Sequence, residues 1–583
     1  MSFGRKQLQW AMAYGAEIFR GSFPGMMSLE ETTAASFKSA ITCTKASLRS
    51  LLPEGTRLLL SQQLENNSTF HVPESEIAYT KSPSGLNALC AVQVEVTGDN
   101  DSKYSFGLFL PEHWNGRFLG VGNGAFAGGV NWADMAAGAQ YGFASMSTDT
   151  GHHSGFQDGS WAWKNPDAID NWGHKAMHGS TKAAKSIVRA YYGTDNKKVD
   201  ISSSYYSGCS TGGRQALKEA QEYPDDYDGI LAGAPAWWSK RLHLFNLVAG
   251  IFNLPVEAAH HIPPEMFPVI AAETLRQCDP QDGVRDNIIS SPETCLLQLE
   301  TLLCGPKSDA SRCLKAAQLE TLHRLYNDWR EANSTFIFPH LLPGSEWEWE
   351  KLSGSDQPNS LGVDYVKYFL NFGPDWIWQE RYSPSLLRVA EEMDPGNATA
   401  DNYDLSPFFE RGGKLLLYHG LSDPGIPPGS TLYFYHQVVQ TLKPRGTDVS
   451  DHSRIFLVPG MLHCQGTPES NNAPWYFAGA NQQAALKGPV PYSVPGFADA
   501  KHDAMLALME WVENDRAPTE IIATKWAGDD PRARVTSQRP ACIYPQVSKF
   551  QYGGDSEGSR ADPMVPKNWA CENLWNQDTE IQQ

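Results

Sequence analysis

The chain has 583 residues, 41% of them hydrophobic and 19% charged, enough apolar material for one large core or two ordinary ones. No stretch approaches the ~18 uninterrupted apolar residues of a bilayer-spanning helix, which excludes an integral membrane protein. With 47 Lys+Arg against 66 Asp+Glu the formal charge is -19, a balance that repels phosphate backbones and argues against nucleic-acid binding.

The first 40 residues read as a leader or N-terminal extension. MSFGRKQLQWAMAYGAEIF has a basic start but carries Gln, Tyr and Glu where an apolar h-region belongs, so the leader is atypical. From about Ala91 the pattern becomes strand-like, with AVQVEV and YSFGLFLP alternating apolar and polar residues. RFLGVGNG (117–124), GFASMSTDT (142–150), SSSYYSGCS (202–210), GILAGAP (229–235), KLLLYHG (414–420) and RIFLVPG (454–460) follow, each an apolar run closed by Gly, Pro, Ser or Asp. Helical periodicity lies between or after them at 174–193, 212–223 and 502–514. Strands alternating with helices predict a mainly parallel sheet covered on both faces. The rhythm breaks between about Ala236 and Phe409, a Trp- and Pro-rich stretch with four clustered cysteines. It reads as an inserted lid domain (236–409) between the two parts of a catalytic domain (41–235 and 410–583). Such a lid should fold over the carboxyl ends of the strands, where open α/β sheets carry their sites.

Ten cysteines make an even number, and none forms the C-x-x-C pairs that zinc sites favour. Disulfides in a secretory compartment are the preferred reading. Sequons at Asn66, Asn67, Asn100, Asn333 and Asn397 agree with secretion, although chance would supply nearly as many. By spacing, Cys278 pairs with Cys295 and Cys304 with Cys313.

The sharpest motif is Gly208-Cys209-Ser210-Thr211-Gly212, a G-x-S-x-G between an apolar strand and a helix. A serine on such a turn is strained, and small residues two before and two after it keep flanking backbone from colliding. The turn also aims the Thr211 N–H at a developing oxyanion. A second match, Gly554 to Gly558, lacks both strand and helix and is read as a polar loop. A serine hydroxyl needs a base, and the base needs an acid to fix its tautomer. Asp423 follows the strand KLLLYHG, and His463 follows RIFLVPG. The order Ser210, Asp423, His463 is that of the α/β-hydrolases. Turn or cap duty for Asp423, and ordinary loop duty for His463, are the competing readings. If Ser210 and His463 meet, their neighbours Cys209 and Cys464 meet as well, and a disulfide there would tie the two loops together.

GVGNGAFAGG, STDTGH, YYSGCSTGGRQAL, GILAGAPA, LYHGLSDPGIPP and VPGMLHCQG together resemble the fungal tannase and feruloyl esterase family, from about Cys43 to Cys571. The resemblance implies an α/β-hydrolase fold with a large inserted lid, Ser210, Asp423 and His463 as the triad, and Cys209–Cys464 as its clamp. It also implies a second oxyanion donor in the Gly122–Ala125 turn, assigned to Gly124, and, with chain position, the pairs Cys43–Cys90 and Cys542–Cys571. Asp279, Asp282 and Asp286 lie in a loop bounded by Cys278 and Cys295. The residues alone fit a solvated acidic loop and a cation site equally well. The family likeness favours structural calcium in the lid, with Val284 and Ile288 as carbonyl donors, and no organic cofactor.

The expectation is therefore a secreted serine esterase acting on phenolic esters, including those carried on plant cell-wall polysaccharide, with a Trp- and Tyr-rich lid walling an aromatic acyl pocket. Feruloyl esterase is preferred over tannase. The alternatives are a non-catalytic secreted glycoprotein that binds sugars or polyphenols on a hydrolase scaffold and, less favoured, a carboxypeptidase.

Overall fold

In a chain with so many short apolar runs, the alternation of side chains along each strand decides which residues face which layer. A computed structural model describes residues 37–193, 199–306, 309–468, 470–488, 492–551 and 562–574. The proposed leader up to residue 36 and the second G-x-S-x-G lie outside the described residues. The strands are, in chain order, β1 (Thr56–Leu64), β2 (Leu89–Thr97), β3 (Lys103–Pro111), β4 (Arg117–Val121), β5 (Ala144–Thr148), β6 (Ser203–Cys209), β7 (Gly229–Gly233), a small hairpin of β8 (Trp329–Arg330) and β9 (Phe336–Phe338), then β10 (Lys414–Gly420) and β11 (Ser453–Val458), followed by two antiparallel pairs, β12 (Glu520–Trp526) with β13 (Val535–Cys542) and β14 (Gln546–Phe550) with β15 (Trp569–Asn573). Nine of them form one sheet in the order β1-β2-β3-β5-β4-β6-β7-β10-β11. β5 to β11 run parallel, while β1, β2 and β3 pair antiparallel at one side. All eight runs read as strands from the sequence lie in this sheet.

Neighbouring strand residues go to opposite layers. Phe118, Tyr206, Ile230, Leu415 and Leu417 join one apolar cluster with residues of the helices Ala176–Tyr191 and Thr211–Glu222. Their neighbours Leu119, Tyr205, Leu231 and Leu416 join another with the helices Trp132–Gln140 and Ala504–Asn514. The central strands are buried on both faces, as a helix-covered parallel sheet requires.

Between β7 and β10 the chain builds mostly short helices. The longest, Ser239–Phe252, is buried nearly all round, and Trp237, Trp238 and Phe245 pack into the same cluster as Ile230. The inserted stretch thus shares its apolar interior with the layer beneath the sheet. All five expected disulfides are formed: Cys43–Cys90, Cys209–Cys464, Cys278–Cys295, Cys304–Cys313 and Cys542–Cys571.

Candidate active site

The three expected side chains sit at the carboxyl ends of β6, β10 and β11. Ser210 has φ 63° and ψ −122°, a conformation that few non-glycine residues adopt and that persists only where the surroundings impose it. Close packing imposes it here. A Cβ on Gly208 would lie 2.6 Å from the Gly212 carbonyl, and one on Gly213 would lie 2.5 Å from the Gly233 oxygen. The Ser210 N–H donates to Gly233 O (3.0 Å), while its own carbonyl accepts from Ala236 and Arg214 (each 3.0 Å).

Asp423 is fully buried, yet it is surrounded by donors. His463 Nδ1 lies 2.6 Å from Oδ2, and the N–H groups of Gly425 and Ile426 donate to Oδ1 at 2.8 and 3.0 Å. Burial opposes ionisation, but the charge of His463 and hydrogen bonds from His419 and His463 hold Asp423 well below the usual carboxylate range. For His463, burial disfavours the imidazolium, but the charge and hydrogen bond of Asp423 outweigh it and raise His463 above its ordinary value. His463 Nε2 lies 3.6 Å from the Cys464 sulfur, and no hydrogen bond joins it to Ser210 in this rotamer. Catalytic bonds commonly tighten only around substrate. Ser210 and His463 border the same two cavities, and Cys209–Cys464, with Cα atoms 5.9 Å apart, fixes the two loops together.

His419 was visible in the sequence only as a residue preceding the acid. It is fully buried, and its Nε2 faces two acceptors, Asp423 Oδ2 (3.1 Å) and Ile426 O (2.8 Å), so that nitrogen must carry the proton. Thr431 Oγ1 lies 2.8 Å from Nδ1. A second imidazole therefore steadies the carboxylate from the side away from His463.

On the oxyanion side, Thr211 is at the first turn of its helix, where N–H groups have no intrahelical acceptor. Gly124 lines the second cavity, but its N–H already donates to Tyr79 Oη at 2.8 Å. The Gly124 N–H, the expected second donor, is thus engaged by a side chain in this structure. Ala125, held at φ 45°, borders both cavities beside Ser210, and among the described residues its N–H and that of Thr211 donate to no protein acceptor. The turn is locked to the nucleophile helix by a reciprocal pair: Asn123 N–H to Gln215 Oε1 (3.0 Å) and Gln215 Nε2 to Asn123 Oδ1 (3.1 Å).

The first cavity, about 400 Å³, is walled by Leu242, His243, Asn246, Lys351 and Leu352 from the inserted stretch and by Ile426. The second, about 410 Å³, is walled by Tyr79, Lys81, Asp134 and Phe156, and burial pushes the Asp134 carboxyl up to about 6. No Trp or Tyr of the inserted stretch lines the first cavity, contrary to expectation. Trp237, Trp238, Trp349 and Trp376 instead fill apolar clusters, because so large a ring gains more by complete burial than at a wetted wall. The site's aromatic pair is Tyr79 and Phe156, in edge contact with centroids 5.3 Å apart.

The acidic loop holds its carboxylates through main-chain donors. Asp279 Oδ1 accepts from Asp286 and Ile288 N–H (3.2 and 3.3 Å), and Asp282 Oδ1 from Val284 N–H (2.8 Å). Burial, with repulsion from the neighbouring carboxylates, raises both Asp279 and Asp282. Asp286 pairs with the buried guanidinium of Arg539. The carbonyls of the buried Val284 and Ile288 accept no main-chain hydrogen bond. The residue types are those a hard cation takes, but Asp279, Asp282 and Asp286 do not bring one oxygen each within 4.8 Å of one another in this arrangement, and Arg539 supplies the positive charge beside Asp286.

A family model described as "Tannase and feruloyl esterase" matches residues 90–337 and 370–562. The chain is 30% identical over 549 residues to "Probable feruloyl esterase B-1" of Aspergillus oryzae, covering 93% of this chain and 92% of that relative. The crystal structure of feruloyl esterase B from Aspergillus oryzae superposes with a TM-score of 0.78 at 27% identity, over 90% of this chain and 99% of that one. The tannin acyl hydrolase from Aspergillus niger gives 0.68 at 20% identity, over 92% and 97%. At that identity it is a likeness of fold.

The packing at the elbow makes a direct prediction. Gly208→Ala should cost about 1–3 kcal/mol through the clash with the Gly212 backbone, read as a lower denaturation midpoint. An unchanged midpoint would show that the turn has room to relax.

Proposed function

The chain belongs to the tannase and feruloyl esterase family and is a carboxylic ester hydrolase; from that premise we propose that it is a secreted serine esterase of phenolic esters, with Ser210 as nucleophile, His463 as base and Asp423 as its orienting acid. One observation carries the reading. A strained serine (φ 63°) and an imidazole held 2.6 Å from a buried carboxylate open onto the same cavities.

His463 Nε2 takes the Ser210 proton as Oγ adds to the ester carbonyl. The tetrahedral oxyanion is met by the N–H groups of Thr211 and Ala125, each such donor typically being worth ~10² to 10³ in rate. Collapse expels the alcohol with the proton from His463, and water then hydrolyses the acyl-enzyme by the same groups. Asp423 keeps the proton of His463 on Nδ1 throughout. The two cavities give the acyl and alcohol parts of the ester separate seats. Feruloyl esterase is favoured over tannase by the 30% identity to a relative named for that activity. Substrates carried on cell-wall polysaccharide are part of the same proposal. Secretion is supported by five disulfides and by exposed asparagines at all five sequons, and among the described residues no helix is long and apolar enough to cross a membrane. Calcium in the acidic loop would be held by the carboxylates of Asp279, Asp282 and Asp286 and the carbonyls of Val284 and Ile288. It would supply positive charge beside Asp279 and Asp282, whose ionisation burial and neighbouring carboxylates oppose.

Methyl ferulate, methyl caffeate and methyl gallate compared side by side should rank ferulate or caffeate first, and Ser210→Ala should abolish turnover of all three. Equal turnover by the variant sinks the mechanism, and a preference for gallate makes the enzyme a tannase. Only neutral His463 can accept a proton, and its folded value is raised, so activity should fade as pH drops through an apparent pKa above the ordinary ~6.5. Asp423→Asn should move that acid limb to lower pH and cut turnover by about 10⁴. A wild-type limb at or below the ordinary histidine value would contradict the pairing. For the loop, a chelator should lower the melting temperature and added calcium restore it; indifference to both would leave Arg539 as the loop's cation.

A further inference from the structure

The helices Ala176–Tyr191 and Thr211–Glu222 lie on the same side of the sheet, and a polar cluster is buried between them and the loop that leads to β7. His178 comes from the first helix, Glu219 from the second and Asp226 from the loop. One ligand atom from each lies within 4.8 Å of the others, and among the described residues no other group of three His, Cys, Asp or Glu side chains converges so closely. His178 Nδ1 is 2.6 Å from Asp226 Oδ2. Glu219 is 1% exposed, and its Oε2 has no hydrogen-bond partner. A buried carboxylate oxygen left without a donor costs free energy unless a proton or a cation meets it.

The nearby cation does not meet that need. Lys185, two turns further along the first helix, donates its ammonium to the main-chain carbonyl of Asp226 rather than to either carboxylate. Burial lowers Lys185 to about 8 and raises Glu219 well above the usual range, with Asp226 adding to the rise. The ring of His178 is stacked on Tyr223, centroids 3.7 Å apart and 8° from parallel, and the hydroxyl of Tyr223 is 2.6 Å from His174 Nδ1. The imidazole is therefore braced in place. The cluster also has a way in, since the side chains of His178 and Asp226 remain 26% and 12% exposed.

We propose that His178, Glu219 and Asp226 form a binding site for a divalent transition-metal ion of the zinc type. One imidazole nitrogen and two carboxylate oxygens are a donor set such ions take at ~2.0–2.2 Å, with water completing the shell. Because carboxylate and imidazole ligands bind metal only in their deprotonated forms, uptake would release acid and strengthen with pH. Glu219 lies nine residues along the helix from Ser210, about 13 Å at the rise of an α-helix. The ion would accordingly brace the far end of the nucleophile helix against its neighbour and take no part in ester cleavage.

Metal-free full-length protein in millimolar calcium, which saturates all-oxygen sites, should be titrated with Co²⁺ followed by visible absorption and with Zn²⁺ by calorimetry. One equivalent should bind, with ligand-field bands in the cobalt spectrum. Glu219→Gln, a near-isosteric change, and His178→Ala should each weaken binding about tenfold or more. Wild-type protein that takes up neither ion saturably overturns the proposal, as does uptake equally strong in both variants.

Discussion

A carboxylate with no solvent exposure, kept ionised, is the constraint around which the site is arranged. Removing such a charge from water is expensive unless donors replace the lost hydration. For Asp423 these are the N–H groups of Gly425 and Ile426 and the rings of His419 and His463. The loop after β10 must therefore curl back on itself, and β11 must deliver a histidine at one height. The sheet makes that delivery possible, since β10 and β11 pair in parallel up to Gly420 and Val458.

The nucleophile side is held by the exclusion of side chains. Gly122 and Gly212 approach so closely that a Cβ on the first would lie 2.5 Å from the Cα of the second. This contact sets the oxyanion turn against the helix start, and Asn123 and Gln215 then fix its rotation. Any methyl group at this junction would push the Gly122–Ala125 turn away from the start of the helix Thr211–Glu222.

Much of this was legible in the sequence, for identifiable reasons. Strands β2 to β7, β10 and β11 announce themselves because their apolar runs stop at turn residues, and Ser210, Asp423 and His463, the proposed triad, because each follows such a run. The Cys209–Cys464 disulfide follows from adjacency to Ser210 and His463 once those two are expected to meet. What stayed hidden depends on contacts between distant segments. β1 carries three consecutive leucines at an edge, with intermediate and exposed positions mixed, so it lacks a clean period. Tyr79 reaches across 45 residues to occupy the Gly124 N–H. The tryptophans of the inserted stretch were expected to wall the pocket, but packing draws Trp237, Trp238, Trp349 and Trp376 into the core. His419 lies four residues before the acid and carries no motif of its own.

The two cavities meeting at Ser210 have different parentage. One takes about half of its walls from the inserted stretch, the other takes its walls from the segments around Tyr79 and Phe156 and from the loops that carry Ser210 and His463. A recombination that exchanges the 236–409 region would therefore rebuild part of the first cavity and leave the walls of the second unchanged.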